Sequence, residues 1–310
     1  MERNPLGPAA RGPAAGGDVR TGAGQPGCAG SAARSSGSPP AWAAPLTGFL
    51  TELTWAGAHA LTYVSGIRAE RLDPGAGHTA GTPVLLVHGL NDNRSVFMVM
   101  RRKLRRSGFA SACCWNYSPL SGDIPRLAVD LGRHIGRIRA QTGHERVHVV
   151  GHSLGGLIAR YHVQRQGGDR TIESLVTLGT PHQGTALALM MPTRLGRQLR
   201  PGSSIMRELS EPAPGCRTAI TAVYSDADQV VLPTASGRCD HPDLATRNVL
   251  VRGVGHLSLP VHPAVHGAVT AALRAYPAAI HRYDADAACS PSALPRRAGE
   301  RRHHTAGMAA

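Results

Sequence analysis

Lysine is nearly missing from this chain. Among 310 residues it occurs once, as Lys103, and arginine supplies the remaining basic side chains. Heavy use of Ala, Gly and Pro goes with it, a composition of the kind a GC-rich genome writes, such as an actinobacterial one. Several arginines also fall in the terminal tails. The net charge of +14 is therefore discounted as a sign of nucleic acid, which is not an expected partner. Aromatic residues make up only 4% of the chain, so a core must be built from Val, Leu, Ile and Ala. Six cysteines in a chain this long exclude a compact disulfide framework. Cys113 and Cys114 lie in an apolar run and read as buried thiols, whereas Cys216 and Cys239 flank a later loop and could be clipped together.

Other absences narrow the function. No apolar stretch follows the first charges, so no cleavable signal peptide is recognisable, and a cytoplasmic or membrane-associated location is expected. The C-x-x-C and H-E-x-x-H spacings are absent, and no glycine-rich phosphate loop follows a strand. Neither a metal nor a cofactor is expected.

What is present has a clear order. Residues 1–40, rich in Gly, Pro, Ala and Ser, cannot bury enough surface to fold and read as a disordered tail. Residues 41–66 are mostly apolar, but Pro45, Gly48, Glu52 and His59 interrupt them. An amphipathic helix packed on the domain is expected there, ahead of one lying on a membrane surface and well ahead of a membrane span. Residues 67–280 carry strand and helix patterns in alternation. The strands are expected near residues 82–87, 110–117, 146–150, 171–178, 218–225 and 248–254. The helices are expected near 95–106, 123–140, 154–166 and 262–276. The irregular stretch 186–210 reads as a candidate lid or, nearly as well, as a plain packed helix pair. Residues 284–310 revert to a basic, polar tail. Alternation of this kind predicts an α/β fold, a mostly parallel sheet covered by helices on both faces, with chemistry at the C-terminal strand ends.

The chemistry centres on Gly151-His152-Ser153-Leu154-Gly155, which follows a β-rich run and opens a helical pattern. A serine on a sharp turn between strand and helix projects its hydroxyl clear of the sheet, and the helix start favours developing negative charge. Ser153 is the candidate nucleophile. A serine needs a base, and the base needs an acid to hold its tautomer. His256, after Gly255 at a strand end, is the candidate base. His152 sits beside the serine, cannot fold back as its base, and reads as elbow packing. His88 reads as part of the oxyanion loop, and His262 and His266 as surface helix residues. Asp226 and Asp228 both follow a strand end. Asp228 is preferred because Val230, Val231 and Pro233 would pack its turn against the sheet. The oxyanion of a tetrahedral intermediate needs two backbone amides, expected from Leu154 and from Leu90 in His88-Gly89-Leu90.

The run Val84 to Leu90, the Ser153 pentapeptide, Thr177 to Gly184, Ser225 to Pro233 and Val254-Gly255-His256 together resemble the α/β-hydrolase superfamily. They are most similar to bacterial triacylglycerol lipases and esterases. The resemblance covers roughly residues 80–278. It implies a serine hydrolase of carboxylic esters, with an ester or lipid substrate. Weak peripheral contact with lipid surfaces is expected separately, from the apolar content of 41–66 and the Leu/Met cluster near 187–191. It also implies a triad of Ser153, Asp228 and His256 and an oxyanion hole at Leu90 and Leu154. The same triad would serve a thioesterase, phospholipase or acyltransferase, and a catalytically silent fold would serve as a binding module.

Overall fold

A computed structural model of the chain describes residues 81–118 and 122–275, together with Thr54, Gly57, Leu61, Tyr63, Val64, Gly66 and Ile67. The tails expected at 1–40 and 284–310, with Cys28 and Cys289, lie outside the described residues.

Six strands form one sheet: β1 (Val84–Val87), β2 (Ala112–Trp115), β3 (Val147–His152), β4 (Ile172–Leu178), β5 (Ala219–Ser225) and β6 (Thr246–Val251). Their order is β2-β1-β3-β4-β5-β6, and every pair is parallel. A parallel pair cannot be joined by a hairpin, so helices return the chain. They are α1 (Met98–Arg106), α2 (Ile124–Thr142), α3 (Leu154–Arg165), α4 (Arg194–Gln198), α5 (Ser204–Glu208) and α6 (Pro263–Arg274). Two of the longer helices begin at a side-chain cap. Asp123 caps α2 through a bond from the Arg126 amide, Pro125 sits in its first turn, and His262 caps α6 ahead of Pro263.

Alternation along the strands builds two cores. Leu85 and Val87 of β1 face one side with α2 and α3, while Val84 and Leu86 face the other with α1 and α6. Both sides are apolar, so the central strands read as continuous hydrophobic runs rather than alternating ones. Helix α2 places Leu127, Leu131, Ile135 and Ile138 on the sheet at one-turn spacing. Each such fully buried aliphatic side chain contributes about 1.5–3 kcal/mol relative to exposure.

Helix α3 differs from the others, since ten of its residues are buried. It packs on β3, β4 and α2, which puts its N-terminus at the centre of the sheet's C-terminal edge.

The stretch 186–210 forms a 3-10 turn over Ala186–Met190 and the short helices α4 and α5. Ala188, Leu195, Leu199, Ile205, Met206 and Leu209 are buried in the first core, whereas Leu187, Leu189 and Met190 are exposed. Cys113 and Cys114 are buried thiols as expected. The clip considered between Cys216 and Cys239 is not made: both are free thiols, and burial raises both above the usual thiol range.

Of the helix expected at 41–66, Thr54, Gly57, Leu61, Tyr63, Val64 and Gly66 are described and helical. No helix among the described residues is long and apolar enough to cross a membrane. The end of this helix is pinned to the domain, because Asn93 Nδ2 donates to the Tyr63 carbonyl at 2.8 Å and Asn116 Nδ2 to the Gly66 carbonyl at 2.6 Å.

Candidate active site

The elbow is built by exclusion of side chains. A Cβ on Gly155 would lie 2.3 Å from the Val87 carbonyl oxygen, and one on Gly151 would lie 2.4 Å from the Gly156 Cα. Only glycine lets α3 begin so close to β1 and β3. Between them Ser153 adopts φ 51° and ψ −121°. It shares a positive φ with only one other described non-glycine residue, Asn91. Such a conformation costs on the order of 1–3 kcal/mol and persists only where its surroundings over-determine it. Here the Ser153 amide donates to the Leu178 carbonyl and its own carbonyl accepts from Thr180 Oγ1, both across to β4 and its loop.

Asp228 and His256 are brought together from loops after β5 and β6. His256 Nδ1 lies 2.8 Å from Asp228 Oδ2, and both side chains are buried. The other carboxylate oxygen, Oδ1, accepts from the Val230 and Val231 amides at 2.8 Å each. Those two amides are acceptor-seeking and fix which oxygen faces the histidine. Burial pushes the Asp228 carboxyl up. The hydrogen bond and charge of His256 and the two amides outweigh it and hold the group below its ordinary value. Because Asp228 is an acceptor there, the histidine carries its proton on Nδ1 and leaves Nε2 unprotonated.

Asp226 has another task. Its Oδ1 accepts from the Gly253 amide at 2.7 Å and its Oδ2 meets Arg252 at 3.4 Å, so it braces the turn that precedes His256.

His152 does more than pack. Its Nε2 donates to the His256 carbonyl at 3.2 Å, and the two rings lie 4.8 Å apart. Its Nδ1 faces Asp92 Oδ2 at 3.6 Å, beyond hydrogen-bond distance. One buried imidazole therefore ties the residue before Ser153 to the loop after β6. His88 stacks on Tyr117 at 4.3 Å. Its Nε2 accepts from the Tyr117 amide, so Nδ1 donates to the Gly89 carbonyl at 2.9 Å. That fixes the loop bearing Leu90, which is half-buried against the first core. Leu154 is the first residue of α3, where an amide has no intrahelical acceptor.

Sequence reasoning missed one buried network entirely. Arg160 of α3 is almost fully enclosed and forms no ion pair among the described residues. Its guanidinium donates to the His182 and Leu209 carbonyls at 3.0 and 2.9 Å and to Gln164 Oε1 at 2.7 Å. His182 in turn meets Thr177 at 2.9 Å. Burial, and then Arg160, hold the His182 imidazole well below its usual range, so it is neutral. The network clamps the loop after β4, which carries Thr180, to the elbow helix. Its traces in the sequence were Arg160, directly after the apolar first half of the helix, and the run Thr177 to Gly184, which holds Thr177 and His182.

Residues 82–200 match the protein family described as alpha/beta hydrolase fold. Among solved structures the chain is similar to lipase B of Aspergillus fumigatus, at 17% identity over 70% of this chain and 57% of that one, with a TM-score of 0.54. It is similar also to the mature form of lipase BlEst2 of Bacillus licheniformis, at 17% identity over 67% of this chain and 96% of that one, with a TM-score of 0.52. Phospholipase PlaB of Legionella pneumophila aligns at 12% identity over 63% and 60%, with a TM-score of 0.50. At these identities the likeness speaks for the fold. With its six-stranded parallel sheet and the elbow between β3 and α3, the chain has the α/β-hydrolase fold.

Proposed function

We propose that the chain is a serine hydrolase of carboxylic esters, working through an acyl-enzyme intermediate. The observation that carries this reading is the strained Ser153 of the elbow beside a buried, hydrogen-bonded Asp228–His256 pair. In this account Ser153 Oγ attacks the ester carbonyl carbon, and His256 Nε2 takes its proton. Asp228 stabilises the resulting imidazolium through the bond to Nδ1. The amides of Leu154 and Leu90 receive the oxyanion, and the dipole of α3 adds to them. Collapse of the intermediate expels the alcohol, which leaves with the proton from His256. Water, deprotonated by the same imidazole, then releases the acid and restores Ser153.

An apolar rim supports an acyl-chain substrate. The Ala186 amide donates to the Leu232 carbonyl, and Thr185 Oγ1 donates to the Val230 carbonyl at 2.6 Å. These bonds bring the exposed Leu187, Leu189 and Met190 beside the exposed Leu232, just past Asp228. A lipase or esterase is the reading this favours. A thioesterase, phospholipase or acyltransferase would use the same groups on another bond or acceptor.

The test is hydrolysis of p-nitrophenyl acetate, octanoate and palmitate by the wild type and by Ser153→Ala. Ser153-dependent cleavage is expected, and preference for the longer chains would assign the rim to acyl binding. Wild-type rates in Ser153→Ala would end the proposal. A folded protein inert toward every acyl substrate and toward serine-directed phosphonates would make it a silent binding module.

A further inference from the structure

Helices α1 and α6 cover the same face of the sheet and touch each other, since Arg274 donates to the Ser107 carbonyl at 3.1 Å. Helix α1 reads MVMRRKLRR and α6 reads PAVHGAVTAALR. Together they carry six permanent cations, Arg101, Arg102, Lys103, Arg105, Arg106 and Arg274, and no carboxylate. Arg102, Lys103 and Arg106 are exposed and enter no ion pair among the described residues. A solvated helix face ordinarily interleaves both signs, at i to i+4 spacing. On this one Arg102, Lys103 and Arg106 stand close together with no carboxylate on either helix.

Two shallow grooves lie along this face. One, of about 470 Å³, runs between the helices with Lys103, Arg106 and Arg274 on its flanks and Gly267, Thr270 and Ala271 along it. The other, of about 460 Å³, is bounded by Met98 and the arginines of α1. Apolar side chains stand at one end. Met98 and Val99 are exposed at the start of α1. The loop that leads into α1 holds Asn93, whose bond to the Tyr63 carbonyl pins the helix bearing the exposed Leu61, Val64 and, just past its end, Ile67. Since α1 joins two parallel strands, its start lies at the C-terminal edge of the sheet, the edge that holds Ser153. The apolar cluster is thus at the site's end of the face, and the cations extend away from it.

We propose that the α1–α6 face docks this chain on bilayers containing anionic phospholipid. The grooves take phosphate-bearing headgroups against Lys103, Arg106 and Arg274, and the apolar cluster enters the headgroup–acyl boundary. Charge complementarity selects the partner, because a basic, acid-free surface gains from an anionic leaflet. The apolar cluster selects a bilayer over a nucleic acid, which would offer it nothing. Docking would lay the C-terminal edge of the sheet along the membrane, and it stands whether or not the chain hydrolyses esters.

The experiment is flotation of the full-length protein with two kinds of vesicle: pure phosphatidylcholine, and phosphatidylcholine with about a third phosphatidylglycerol. Three proteins are compared: wild type, Arg102→Gln/Lys103→Gln/Arg106→Gln, and Met98→Ser/Val99→Ser. The wild type is expected to float with the anionic vesicles only, and to be released by high salt. At about a fivefold effect per surface cation, removing three weakens binding by roughly a hundred-fold. The triple variant should retain the wild-type melting temperature and its rate on a soluble ester. The apolar pair should weaken binding less, and by a factor that does not change between low and intermediate salt. Equal flotation of wild type and triple variant would overturn the proposal. So would equal wild-type binding to neutral vesicles, or binding to single-stranded RNA with none to either vesicle.

Discussion

Asp226 and Asp228 stand two residues apart on one loop, and the fold has given them opposite lives. Asp228 is buried, receives two backbone amides and faces His256 at 2.8 Å. Asp226 is exposed and holds the Gly253 amide and the Arg252 guanidinium. Both bond to the segment that ends in His256, but one addresses its imidazole and the other its approach. Residue type therefore decides nothing here. Position relative to the end of β5 decides, because the chain dives inward at Asp228 and Val231 packs beneath it, wholly buried.

The contrast is sharpest in catalysis. Asp228→Asn should cut ester turnover by about 10³–10⁴-fold with little loss of fold. The Val230 and Val231 amides must still find an oxygen, so the new side chain turns its NH₂ toward His256. An NH₂ there forces the proton off Nδ1 and onto Nε2, and the base is lost. Asp226→Ala should leave turnover within a few-fold of wild type. Equal losses in steady-state assays of the two would erase the distinction.

The second difference is in acid. Asp228 is held below its ordinary value of 3.8. A depressed carboxyl contributes stability that is present above that value and is lost as pH falls through the lower folded value. Melting curves should therefore fall more steeply below about pH 4 in wild type than in Asp228→Asn. His148 acts in a different window. Burial, and then Arg146, lower its imidazole from 6.5 to about 4. Folded His148 stays neutral while the unfolded chain gains a proton, so this contribution is lost between pH 6.5 and about 4. His148→Asn should flatten that earlier part of the curve and leave the part below it.

The smaller effects belong to Asp226. Asp226→Ala should cost about 1 kcal/mol, the scale of one exposed hydrogen bond to a backbone amide, measured by urea unfolding. Arg252→Ala should change stability by less than about 0.5 kcal/mol, since its contact with Asp226 is long and exposed. A larger loss from Arg252→Ala than from Asp226→Ala would mean that charge, and not the turn, is what Asp226 supports.

Much of this was legible in the sequence where the signal is local. The elbow reads directly from Gly151 to Gly155, because strand, turn and helix follow one another without a gap. The central strands β1, β3 and β4 read as apolar runs because both of their faces are covered. Strand β6 was placed at 248–254 but spans Thr246–Val251. It lies at the sheet's edge, pairs through its backbone with β5, and leaves most of its side chains part-exposed, so hydropathy does not mark it. Gly253 and Val254 belong instead to the turn held by Asp226 and Ser225.

What the sequence hid is long-range. The tie from His152 to His256 joins residues 104 apart, and the Arg160 clamp joins α3 to the segments near His182 and Leu209. No periodicity announces such contacts. Even the choice between Asp226 and Asp228 rested on the resemblance and on the packing expected of Val230, Val231 and Pro233, of which only Val231 is buried.

The most direct test is the rate and position of labelling by a fluorophosphonate, followed by peptide mapping. The account predicts a single adduct on Ser153, formed at similar rates in wild type and Asp226→Ala, and far more slowly in Asp228→Asn. An adduct on another serine, or equal rates in the two aspartate variants, would contradict it.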